Sequence, residues 1–111
     1  MEPDELAALE LRSMRAAWRT LMRDWDVTPT ERRALLPEGG EEDAAPPRGT
    51  ETRMRLLVEV GYRVQLEGWI LYDWLRTPTP VLRWLTPLDA MSGTLAQLRG
   101  VRNLVDRGFA S

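Results

Sequence analysis

Met54-Arg55-Leu56-Leu57-Val58-Glu59-Val60-Gly61-Tyr62-Arg63-Val64-Gln65-Leu66-Glu67-Gly68-Trp69-Ile70-Leu71-Tyr72-Asp73-Trp74-Leu75 decides the fold class of this chain of 111 residues. Its valines would suit a strand, but about 25 residues from Thr50 onward without a turn signal exceed any usual strand. Wound as a helix, the segment is apolar on more than half of its circumference, so other elements must wrap it on several sides. Leu57, Gly61, Val64 and Gly68 lie on one face and are candidates for a core or dimer contact. The two glycines either let another helix approach closely or mark a break near Gly68. A surface this broad is more than one short chain covers easily, which predicts a homodimer.

Outward from this segment, the signals remain helical. Upstream, Thr50 reads as its N-cap, preceded by Glu38 to Gly49, where Gly39-Gly40, Pro46-Pro47 and an excess of acids predict a mobile linker. Before that, Thr28-Pro29-Thr30-Glu31 has the form of a capping box that starts a short helix to Leu36. Leu6, Leu9, Met14, Trp18, Leu21, Met22 and Trp25 recur at helical spacing behind Asp4 as N-cap. Downstream, Thr77-Pro78-Thr79-Pro80 cannot be helical throughout. Thr86-Pro87 repeats the start signal for a short helix closed by Gly93, and Thr94 opens a last helix striped by Leu95, Leu98, Val101, Leu104 and Val105. The chain therefore reads as a small all-α protein: a helical lobe at 1–37, an acidic Gly/Pro linker at 38–49 and a helical domain at 50–111.

Composition narrows the chemistry. The chain has no histidine and no cysteine, and all fifteen of its basic residues are arginine. Imidazole bases, thiolate nucleophiles, Cys/His zinc sites, disulfides and Schiff-base lysines are thereby excluded. Ser13, Ser92 and Ser111 sit in no nucleophile-elbow context, and the acids near residue 40 lack the spacing of a calcium loop. No catalytic residue, cofactor or metal is expected. Residues 1–49 hold seven arginines and eleven acids, residues 50–111 eight and six, and the net charge of -2 argues against an autonomous nucleic-acid binder. The acidic start and the absence of a long apolar run predict a cytoplasmic chain with no membrane span. Of the tryptophans, Trp18, Trp25, Trp69 and Trp74 fall on core faces, whereas Trp84 lies in a short connector and is expected to be exposed.

Trp74-Leu75-Arg76-Thr77-Pro78-Thr79-Pro80, Leu82, Thr86-Pro87-Leu88-Asp89-Ala90-Met91, Gly93 and Val101, Leu104-Val105 before Gly108 resemble the C-terminal toxin-binding domain of Xre/MbcA/ParS-type antitoxins. The resemblance spans about residues 50–111. It departs at Thr79, where asparagine is common, and at Arg83-Trp84, where a glycine is often seen. Trp25, Val27 to Glu31 and Leu35-Leu36 are similar to the start of the helix-turn-helix lobe of such antitoxins, but the acidic run from Glu38 to Asp43 stands where a recognition helix would meet phosphates. DNA binding by this chain alone is accordingly expected to be weak or absent. The resemblance implies a type II antitoxin that occludes the active site of a RES-domain toxin, one that consumes NAD or uses it to modify a target. The rival reading is a DNA-binding regulator with a degenerate helix-turn-helix.

The same resemblance assigns toxin contact to the C-terminal portion. There Arg83, Trp84, Arg99, Arg102, Asp106, Arg107, Phe109 and Ser111 are the candidate contacts, with Arg83 and Trp84 as anchors. Asp106 and the Ser111 carboxylate suit a pocket built for the pyrophosphate of NAD.

Overall fold

The computed structural model describes residues 3–42, 46–66 and 71–107, with only the backbone described for Asp4, Leu66 and residues 71–73. Its helices are α1 (Pro3–Asp24), α2 (Pro29–Leu35), α3 (Arg48–Leu66), α4 (Leu71–Arg76), α5 (Pro87–Met91) and α6 (Leu95–Asp106), with a 3-10 turn at Pro80–Leu82. No strand occurs among the described residues. The all-α expectation therefore holds.

Three helix starts have the local chemistry read from the sequence. At α2, Glu31 N donates to Thr28 Oγ1 (3.1 Å) and Thr28 N donates to Glu31 Oε1 (2.8 Å). Thr94 and Gln97 exchange the same pair of bonds at α6. At α5, Asp89 N donates to Thr86 Oγ1 (3.0 Å). Each side chain satisfies an N–H that the first turn of a helix leaves without an intrahelical acceptor.

Two other starts differ. Helix α1 already includes Pro3, which places Asp4 inside its first turn. Helix α3 begins at Arg48, so Thr50 is no N-cap; it is fully buried, and its hydroxyl donates to Gly39 O. Inside the first turn rather than at the cap position, the hydroxyl finds a longer-range acceptor once the chain folds back. That bond also anchors part of the acidic stretch expected to be mobile. Both nitrogens of the Arg32 fork that face Glu41 donate to its carboxylate, and the Glu38 carboxylate lies over Gly49.

The core joins both ends of the chain. Trp18, Leu21 and Met22 from α1, Trp25 just after it, Leu57, Val60 and Val64 from α3, and Leu98, Val101 and Val105 from α6 pack into one buried cluster. Helix α3 lies between α1 and α6. Leu57 and Val64 are thus spent inside the chain, and the Leu21 side chain fills the space a Cβ on Gly61 would need. At Gly61 this face of α3 is therefore in contact with α1 of the same chain. Gly68 and Trp69 lie outside the described residues. Leu6 and Leu9 share the α1 stripe but remain 47% and 41% exposed.

Two arginines tie the N-terminal helices to the C-terminal ones. Arg53 is 6% exposed and donates to Leu35 O (2.8 Å), Gly93 O (3.0 Å) and Met91 O (2.6 Å). It thereby satisfies carbonyls at the ends of α2 and α5. Burial pushes its guanidinium below the ordinary arginine range, and the nearby Glu38 carboxylate partly offsets that. Arg76, at the end of α4, donates to Trp25 O (3.0 Å), Asp26 O (3.1 Å) and Glu31 Oε1 (3.2 Å).

Candidate interaction surface

The connector between α4 and α5 closes on itself through the backbone of Thr79, a buried residue. Thr79 O accepts from Leu82 N (3.1 Å) and Trp84 N (2.9 Å), while Thr79 N donates to Leu85 O (3.1 Å). Pro80 pre-sets the first dihedral of the 3-10 turn, and Arg83 N returns to Pro80 O (3.0 Å). To complete so short a ring, Arg83 and Trp84 both take the left-handed conformation, with φ of 56° and 67°. For residues carrying a Cβ this costs roughly 1–2 kcal/mol each. The hydrogen-bonded ring holds Trp84 outward at 69% exposure, flanked by Val81 at 54% and Leu85 at 42%.

Beside this ring runs a groove of about 490 Å³. Val81, Leu82 and Leu85 form one wall; Gly100, Val101 and Leu104 of α6 form the other. Arg83 and Arg107 are its charged lining residues. Two candidates far apart in sequence are therefore brought to one groove.

The remaining candidates are placed elsewhere. Arg102 donates to Glu59 Oε2 (2.9 Å), and Asp106 pairs with Arg63 (3.4 Å), so both join α6 to α3. Surface pairs of this kind contribute about 0–1 kcal/mol each. Arg99 lines a separate cleft with Arg48, Thr52 and Arg55 of α3. Phe109 and Ser111 lie outside the described residues. Sequence reasoning passed over Gly100, whose value is steric, and Arg53, although position 53 shares the core face of α3 with Leu57, Val60 and Val64.

The order of α4, closed ring, α5 and α6 meets a known pattern. Residues 67–108 match the family model of the antitoxin Xre/MbcA/ParS C-terminal toxin-binding domain. No curated protein and no solved structure matched the chain. The match spans α4 through α6, and with them the Trp84 ring and the groove. It bears out the resemblance carried by the Trp74 to Gly108 pattern and supports an antitoxin role. A toxin-binding domain implies a toxin as partner. Among the described residues, no helix is long and apolar enough to cross a membrane, and no cluster of three or more acidic, histidine or cysteine side chains is placed to hold a metal.

Proposed function

We propose that this chain is the antitoxin of a type II toxin–antitoxin pair and silences a cytoplasmic RES-type toxin by covering its NAD site. The observation that carries the reading is Trp84, a large aromatic side chain held in solvent by two consecutive left-handed residues inside the segment that matches a toxin-binding domain. A folded chain without a binding partner gains nothing from such strain, whereas buried aromatic and arginine anchors dominate the energetics of protein interfaces. Arg83 and Arg107 flank the same surface, and Arg99 lies on another part of α6. Phe109 and Ser111 lie two and four residues beyond Arg107 in sequence and are candidates to reach the toxin's active site. In this role the chain acts by occlusion and carries out no reaction of its own.

The test is co-expression with the toxin encoded beside it. The wild-type chain should restore growth and hold cellular NAD at the level of cells without toxin, and Trp84→Ala should fail at the same expression level. NAD that falls equally with and without the wild-type chain would refute the reading.

A further inference from the structure

Charge and shape together specify what the groove accepts. Among the described residues, neither the Arg83 nor the Arg107 guanidinium has an ion-pair partner, and no acid lines the groove. Between these cations the walls are mainly apolar, with Gln97 and Asn103 the uncharged polar side chains on the α6 side. Gly100 leaves a dent in α6: a Cβ built there would meet no atom within 4 Å. A missing side chain on an exposed helix face lets another backbone approach closely. From Gln97 to Arg107 the α6 wall extends about 15 Å at 1.5 Å per residue, the length of two to three helical turns.

We infer that this groove receives an amphipathic helix of the partner, two to three turns long, which lays aliphatic side chains over Gly100 and sets carboxylates against Arg83 and Arg107. The partner's identity as a toxin rests on the reading above; the chemistry of its helix rests on the groove. The helix is assigned to the toxin because the groove lies within the segment that matches a toxin-binding domain; a second copy, whose α1 carries the exposed Leu6 and Leu9 beside Glu5 and Glu10, is the competing occupant that the mass measurement below distinguishes. Carboxylates pair with guanidinium forks in directed bonds, so the two arginines fix the register of the incoming helix as well as adding affinity.

Gly100→Leu in the full chain tests this, since the position is open and leucine is a good helix former. Two probes are used: the purified toxin, and a 15-residue helical peptide of alanine and leucine with glutamates along its flanks, compared with its lysine counterpart. By calorimetry the glutamate peptide should bind at least tenfold more tightly than the lysine peptide. Gly100→Leu should lower affinity for both the toxin and the glutamate peptide at least tenfold while circular dichroism stays unchanged. Joint exchange of Arg83 and Arg107 to Glu should reverse the preference between peptides. Equal binding of the two peptides, or undiminished toxin binding by Gly100→Leu, would overturn the groove proposal. So would a concentration-dependent dimer mass that Gly100→Leu abolishes, since the groove would then hold a second copy. A wild-type chain that binds the glutamate peptide but no toxin would instead refute the antitoxin reading and leave the groove's chemistry standing.

Discussion

Arg53 carries its charge into the interior with no carboxylate bonded to it, relying on three backbone carbonyls. Bonds from a charged donor are stronger than neutral ones, and buried acceptors left without a donor cost about 1–3 kcal/mol each. Arg53→Ala is therefore expected to destabilise the chain by about 3 kcal/mol in urea titration, far more than Ala in place of an exposed arginine such as Arg99. A loss under about 1 kcal/mol would mean that water replaces the guanidinium at little cost. Gly100 gives the opposite expectation. It sits in the interior of α6 with open space where a Cβ would go, so Gly100→Ala should raise stability by about 0.5–1 kcal/mol. A lower unfolding midpoint would contradict the space assigned there.

Among elements, the helix starts and the Trp84 ring have opposite local energetics. Thr28→Ala and Thr86→Ala each remove a bond to a first-turn N–H, and each should cost about 0.5–2 kcal/mol by denaturant titration. Variants indistinguishable from wild type would show that water caps these helices equally well. In the ring, Trp84→Gly removes the Cβ that makes φ of 67° unfavourable, so stability should rise by up to about 1 kcal/mol while binding to the proposed toxin is lost. A fall in unfolding midpoint would show that Trp84 stabilises the free chain. The caps were legible in the sequence because donor and acceptor lie three residues apart. Arg53 was not, because its acceptors are 18, 38 and 40 residues away and only the folded arrangement brings them together. Thr50 misled for the same reason: its hydroxyl has the chemistry of a cap, but its acceptor is Gly39 O, 11 residues back. The groove fell between these cases, with Arg83 and Trp84 marked as a connector but Gly100 silent until α6 was set beside it.

Across the whole molecule, α6 buries Leu98, Val101 and Val105 in a core that α1 and α3 complete. The matched segment also draws on the N-terminal helices through Arg76, which spans 51 residues to Trp25 O. A fragment of residues 67–111 expressed alone is therefore expected to melt without a cooperative transition and to hold far less helix per residue than the full chain, as read by circular dichroism. A sigmoidal melt with full helicity would show that the matched segment stands by itself. On α3, Leu57, Val60 and Val64 of the broad apolar surface read from the sequence are buried against α1 and α6 of the same chain, while Tyr62 stays exposed.

The three bonds of Arg53 also bear on the order of synthesis. A chain emerging from the ribosome presents Leu35 before Arg53, but Met91 and Gly93 arrive last of the set. At about 5–20 residues per second, the guanidinium waits roughly 2–8 seconds between its own appearance and that of its final acceptors. During that interval the nascent N-terminal portion holds a cation whose interior place does not yet exist. Arg53 can engage its three acceptors together only once Met91 and Gly93 have been made, so this part of the core closes after the N-terminal helices have been synthesised.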